Sequence, residues 1–282
     1  MQLLYDPRDA PIHQKLGSRL LDWLDDLGAK PIDETDANDE AFLFTGARPM
    51  ADYRRLVTAL PFLRDRPEER ETLLRLDTVL EAIKRANVKV PMPRTWLMPL
   101  DVPLPDDLTY PLFLRTAETS WKKGGRISKV QSHKELEAEA AELRRAFGWD
   151  ATILAREWLD LASAGKGNYG PVAQEVRIWI VDQEPFAWSF HFMNIVSAPK
   201  GFPPGKNDLN TLRVNAAAVA PAFESRLVAA DFAKGRDGRW YFIEAGPGSC
   251  AGTSHEAVFK AVAGKLMREA LNLPSDRLGG LL

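Results

Sequence analysis

A chain of 282 residues, 45% hydrophobic and 27% charged with a formal net charge of −2, has the composition of a folded globular protein, not of a disordered or fibrous one. Near-neutral charge offers no bulk attraction to nucleic acid or to an anionic membrane, so any anion must be held by locally placed basic groups. A single cysteine, Cys250, excludes an internal disulfide. Met1 to Asp6 has no basic segment leading into an apolar run, and no run nears the ~20 apolar residues of a membrane span, so the expected setting is the cytoplasm.

To about Leu63 the chain mixes one amphipathic helix with short strand-like pieces. Leu16, Leu20, Leu24 and Leu27 fall at helical spacing with Gly28 as the stop, and Ala41 to Gly46 reads as a buried strand. A second helix is expected from Pro67 to about Asn87, with Leu73, Leu76, Leu80 and Ile83 as its apolar stripe. The prolines from Pro91 to Pro111 then mark an extended connector and a domain boundary. Strands follow at Pro111–Arg115 and near Ile127–Val130, on either side of the polar loop Glu118–Gly125. Ser132 to Glu135 has the pattern of a capping box before a helix carrying Leu136, Ala140, Leu143 and Phe147, stopped by Gly148. Thr152–Leu159 is strand-like and leads into a Gly-rich loop. Glu175–Val181 pairs with Phe186–Met193 as a hairpin, Leu227–Ala233 pairs with Arg239–Glu244 as another, and a helix from Ser254 to about Leu271 closes the chain. Strands run with strands and helices with helices, which argues for α+β packing.

The last hairpin allows a count. Asp237-Gly238 is a strong signal for a two-residue turn, and pairing outward from it sets Asp231 opposite Glu244, among Ala229, Ala230, Phe232, Phe242 and Ile243. Opposed residues of an antiparallel pair share a face. Two carboxylates so placed repel each other and lose hydration. One takes a proton, an outside base pairs with them, or a divalent cation sits between them; a longer loop would shift the register and put both on a solvated face. Mg²⁺ held by one or two carboxylates plus substrate phosphates is a common form of the third solution.

These residues, taken with others in order, resemble the ATP-grasp superfamily. Leu227–Phe232, a Gly turn and Trp240–Ala245 resemble its metal-binding end. Tyr110–Arg115, a Gly loop and Ile127–Val130 resemble the phosphate-covering subdomain. Ile153–Leu159 resembles the hinge that holds adenine, and Gln174–Ile178 the strand whose acid meets the ribose. The resemblance covers about Pro91 to Leu271. It implies an α+β fold of two subdomains gripping ATP (about 91–150 and 151–282), preceded by a small α/β domain at 1–90. It further implies Mg²⁺ on Asp231 and Glu244, and ATP on Arg115, Lys123, Lys129, Arg156, Glu157, Trp158, Leu159 and Glu175, with Lys122 and Arg177 acting on the transferred group. The chain departs from the family pattern in two places: Arg115 stands where a lysine is usual, and Gly246 where the metal site usually has an asparagine. Arginine keeps the positive charge with a planar fork, whereas Gly246 removes an oxygen donor. The earlier family lysine has no match; Arg75, Lys84 and Lys89 are only near its place.

The function implied is an ATP-dependent carboxylate–amine or carboxylate–thiol ligase working through an acyl phosphate. The alternatives are a small-molecule kinase and a non-catalytic nucleotide-binding protein on the same fold. Expected partners are small-molecule carboxylates and amines or thiols, with no nucleic acid and no membrane; a homodimer is compatible with the sequence. Other residues have plainer readings. Lys122 and Lys123 are either a phosphate-closing loop or a solvated turn. Arg177 and Glu175 alternate along one strand as an ion pair, either structural or in the site. Ser163–Gly167 lacks P-loop spacing and reads as an exposed strand connection. His191 and His255 lack metal-ligand spacing, Cys250 has no base beside it, and Trp158, Trp179 and Trp188 read as core.

Overall fold

The computed structural model describes residues 1–10, 20–34, 40–46, 50–58, 60–100, 105–118, 128–167, 170–190, 204–251, 255–267 and 279–282. Strands β1 (Gln2–Tyr5), β2 (Lys30–Pro31) and β3 (Ala41–Phe44) form a parallel sheet in the order β2-β1-β3. Successive side chains point to opposite faces. Leu3, Phe42 and Phe44 therefore lie on one side with Trp23 and Leu24 of the Leu20–Asp26 helix, and Leu4, Ala41 and Leu43 on the other with Tyr53 and Val57 of the Met50–Val57 helix. Gly28 takes φ +70° just past the first helix, the conformation glycine adopts most cheaply; Leu16 lies outside the described residues.

The single helix expected from Pro67 to Asn87 is two, Pro67–Leu74 and Leu76–Arg85, with Arg75 extended between them (φ −131°, ψ 133°). Tertiary bonds cause the break. The Leu76 N–H donates to the Ala117 carbonyl at 2.7 Å, and the Arg75 guanidinium donates to Asp77, to Glu118 at 3.0 Å and to Thr152 at 2.7 Å. Leu73, Leu76, Val79 and Ile83 remain one buried stripe across the break.

The proline-dense stretch is more than a connector, because β4 (Thr95–Met98) lies within it. With β5 (Leu112–Thr116), β6 (Ser128–Val130) and β7 (Ile153–Glu157) it makes an antiparallel sheet ordered β4-β7-β5-β6. Flanking prolines are tolerated because β4 is an edge strand. The His133–Phe147 helix starts at Ser132, whose hydroxyl accepts from the Glu135 N–H at 3.3 Å. The Glu135 carboxylate reaches one residue further back than a capping box requires, to the Gln131 N–H at 2.7 Å. Its Leu136, Ala140 and Leu143 cover one face of the sheet, against Leu112, Leu114 and Ile153. Alternation and register put Phe113, Arg115, Leu154 and Arg156 on the other face.

Ser163–Gly167, expected as a plain connection, is β8, paired with β9 (Gly170–Ala173) as a hairpin. Next, β10 (Glu175–Val181) and β11 (Glu184–Phe190) turn through Asp182 and Gln183, both at positive φ (50° and 65°). With β12 (Leu227–Lys234), β13 (Trp240–Pro247) and β14 (Gly279–Leu281) they make a five-stranded sheet ordered β13-β12-β10-β11-β14. One face carries the Lys206–Val219 helix, which the sequence pattern did not reveal: Leu212, Ala216 and Val219 join Ile178, Ala230 and Phe242 in a single core. The other face carries the Glu256–Met267 helix, whose Val258, Phe259 and Val262 pack on Trp179 and Ala229 and on Phe44 of the first sheet. On this face the apolar positions end at Trp179 and Ala229. The next same-face positions are Arg177 and Asp231, and there the site begins. Among the described residues no helix is long and apolar enough to cross a membrane.

Candidate functional site

Asp231 stands opposite Glu244, as counting from the turn predicts, but by a different route. The Gly235 N–H donates to the Arg239 carbonyl at 2.8 Å. The loop therefore has three residues, Arg236 to Gly238, with Gly238 at φ +82°, and the two-residue turn expected from Asp237-Gly238 is not formed. Asp237 fastens this loop, accepting from the Arg239 N–H and the Tyr241 hydroxyl (3.1 and 2.7 Å); the Tyr241 and Arg239 donors hold its carboxyl down at about 2. A bulge then restores the register. Phe232 pairs with Phe242, Ile243 is the extra residue, and Glu244 meets Asp231. Without the bulge Ile243 would oppose Asp231, and Glu244 would point into the core beside Trp240 and Phe242.

Of the solutions open to two opposed carboxylates, the fold uses outside bases. Asp231, 1% exposed, faces Arg177 across β10 and β12. The guanidinium grips it as a fork, Nε to Oδ1 and Nη2 to Oδ2, both 2.8 Å. Burial alone would lower the Arg177 pKa, but the Asp231 charge and hydrogen bonds outweigh it and the net shift is upward. From the other sheet Arg115 donates through Nη1 to Glu244 Oε2 at 2.5 Å, joining β5 to β13. Arg156 completes the group. It is 2% exposed, its Nε donates to Thr95 Oγ1 at 3.1 Å, and its Nη2 is buried with no hydrogen-bond partner among the described residues. Burial, then the neighbouring Arg115 charge, push it down to about 9 against the pull of Glu244, so at neutral pH it is still a cation. Three guanidiniums and two carboxylates thus meet where the two sheets join. Two adjacent carboxylates are hard oxygen donors of the kind Mg²⁺ takes. Among the described residues no third acid, histidine or cysteine joins them in a metal-binding group.

The other expected site residues spread outward from this centre. Lys129 is exposed on β6, its ammonium 4.6 Å from the centre of the Trp158 ring. Glu157 ends β7 and accepts from the Arg94 N–H at 3.2 Å. Trp158 and Leu159 follow it, in the segment that crosses to the five-stranded sheet, where Leu161 bridges Gly235. Glu175 lies two residues before Arg177 on the same face. It acts on Arg177 more weakly than Asp231 does, so the expected Glu175–Arg177 pair is not the principal one. Lys122, Lys123 and His191 lie outside the described residues.

His255 is buried and its Nδ1 accepts from the Val258 N–H at 3.1 Å, opening the last helix. Burial pushes the Cys250 thiol up, away from a reactive thiolate. Trp179 and Trp188 are core, while Trp158 is only partly buried.

A polar network unseen in the sequence lies behind the site. Fully buried Arg70 donates to Ser249 Oγ at 3.2 Å and to the Gly46 carbonyl at 3.3 Å. The Ser249 hydroxyl donates to Asp65 and its carbonyl accepts from the Thr45 N–H at 3.1 Å. The turn just after β13 is thereby tied to the end of β3. Arg70 lies 179 residues from Ser249 in the chain, a separation at which no local pattern signals a contact.

Residues 64–266 match a family described as an ATP-grasp domain. No protein of curated function matches the sequence. Among solved structures, the RimK domain protein ATP-grasp from Sphaerobacter thermophilus superposes with a TM-score of 0.60 at 14% identity, covering 96% of this chain and 100% of that one. A D-cycloserine synthetase (TM-score 0.59, 13% identity, 94% and 98% covered) and the D-alanine–D-alanine ligase of Bacillus anthracis (0.61, 13%, 95% and 95%) are similar to the same extent. At such identities the structures speak for the fold, α+β and ATP-grasp. The family match spans most of the chain, which therefore belongs to the ATP-grasp domain family.

Proposed function

We propose that the chain is an ATP-dependent ligase that joins a small-molecule carboxylate to an amine or thiol by way of an acyl phosphate. The observation that carries this reading is Asp231 opposite Glu244 at a junction that also gathers Arg115, Arg156 and Arg177. In this reading Asp231 and Glu244 would hold Mg²⁺ together with phosphate oxygens of ATP, an arrangement their donor chemistry suits. Mg·ATP, when bound, would supply the phosphoryl group that activates the carboxylate, with ADP leaving and the nucleophile then displacing inorganic phosphate.

The chain itself positions and neutralises, the larger part of catalysis in phosphoryl transfer. Arg115 and Arg177, paired with Glu244 and Asp231, would turn to phosphate oxygens and neutralise their charge. Lys122, Lys123 and Lys129 add positive charge. Glu157, Trp158 and Leu159 frame the base, and Glu175 meets the ribose. A second reading, a non-catalytic nucleotide-binding protein, is favoured by Gly246 and by the arginine already seated on each acid.

ADP release in the presence of Mg²⁺ separates the readings. Release that needs both a carboxylate pool and an amine or thiol pool supports the ligase. A stable phosphorylated product formed without the nucleophile points to a kinase, and ATP binding without turnover to the non-catalytic protein. Absence of any Mg·ATP-induced rise in melting temperature removes the nucleotide reading altogether.

A further inference from the structure

Arg156 is set unlike the other two guanidiniums of the junction. Arg177 has Asp231 in a two-bonded grip and Arg115 has Glu244. Among the described residues Arg156 has a single neutral acceptor, the Thr95 hydroxyl, although a guanidinium carries five N–H donors. Its Nη2 is shut off from solvent and has no acceptor among the described residues. Its nearest charges include a like one, Arg115, and the carboxylate that attracts it, Glu244, already receives the short Arg115 contact. Proteins leave very few buried polar groups unsatisfied, and a buried charge without a partner is among the costliest.

Placement says where the missing partner belongs. The Arg156 side chain rises from the face of β7 that it shares with Phe113 and Arg115, opposite the face sealed by the His133–Phe147 helix. This is the side from which Arg115 reaches Glu244. A neutral water would satisfy one N–H and leave the repulsion from Arg115 uncorrected. An anion answers both, and phosphate oxygens match the planar fork of a guanidinium. A single carboxylate can engage one such fork, whereas a chain of phosphates carries enough oxygens for several.

We propose that Arg156 is an anion-binding residue of the junction that takes a polyphosphate oxygen, and that it does so without a divalent cation. This rests on the reading of the junction as the nucleotide site, and gives Arg156 a place at the phosphates where the sequence resemblance put it beside the base.

The test is calorimetric titration of the full chain with inorganic triphosphate in the presence of EDTA, comparing wild type with R156M and R156Q, alongside melting temperatures without ligand. Wild type is expected to bind. Each variant should lose roughly ten-fold or more in affinity, the worth of one charge-assisted contact, while its ligand-free melting temperature stays level or rises because an unpaired buried charge has gone. The proposal is overturned if wild type does not bind triphosphate without metal, or if a folded variant binds it as wild type does. A fall in melting temperature with binding unchanged would likewise assign Arg156 a structural role and overturn it. The two readings fail separately. Triphosphate binding with no response to Mg·ATP removes the nucleotide and keeps Arg156, whereas Mg·ATP and triphosphate binding by R156M at wild-type strength removes Arg156 and keeps the nucleotide.

Discussion

Asp231 depends strongly on Arg177. With a side chain 2% exposed and gripped at both oxygens by Arg177, it cannot fall back on water if the guanidinium goes. Arg177→Met should cost about 3–5 kcal/mol in a urea melt, the penalty of stranding one half of a buried pair. The R177M/D231N double variant should recover a large part of that loss, because the buried negative charge goes with its guanidinium. Gly246 is the opposite case. It lies two residues past Glu244, and a Cβ built there meets nothing within 4 Å. Gly246→Asn should therefore fold normally and return an oxygen donor beside the two acids. The expected outcome is a larger gain in ATP affinity on adding Mg²⁺ than wild type shows, read by titration with and without the metal.

At the scale of elements, the β12–β13 hairpin aims the acids, and the glycines at its turn and just past its end have different demands. Gly238→Ala forces a side chain to φ +82° in open space, a backbone cost of about 1–2 kcal/mol. Gly248→Ala would put a Cβ 2.3 Å from Leu227 Cγ and 3.1 Å from its carbonyl oxygen, so β12 itself must give way. We expect Gly248→Ala to lower the melting temperature more than Gly238→Ala and, alone of the two, to weaken Mg·ATP binding. This hairpin also shows how far sequence could be read. Its strands and the opposition of Asp231 to Glu244 were legible, but a three-residue loop and the Ile243 bulge compensate each other, and Asp237-Gly238 suits the longer loop as well as the two-residue turn. The Lys206–Val219 helix escaped because its buried stripe, Leu212, Ala216 and Val219, is thin and partly alanine, while Val214 on the same helix is 64% exposed. The break at Arg75 was invisible because the apolar stripe runs straight through it; a bond to Ala117 on another element decides it. The arginine partners of the two acids were illegible for the same reason, since strand pairing between distant segments sets them.

Across the whole molecule, three sheets meet at one place. The parallel sheet is packed to the five-stranded sheet through Phe44 and Phe259, with ring centroids 5.2 Å apart, and is tied to the turn after β13 by the Arg70–Ser249 network. The small antiparallel sheet reaches the same region through Arg115 to Glu244 and through Arg75 to Glu118 and Thr152. The Pro67–Arg85 helices lie in the core of the five-stranded sheet, which fits a family match that begins at residue 64. The acids pair with arginines that join the sheets; in the proposed complex they would serve the metal while the arginines serve the phosphates. On that proposal nucleotide and cation would bind together. The most direct test is calorimetric titration of ATP with and without Mg²⁺ into wild type and D231N. Wild type should bind ATP in a saturable manner and more tightly with Mg²⁺, and D231N should lose the difference; no saturable binding of Mg·ATP, or an undiminished Mg²⁺ effect in D231N, would contradict the account.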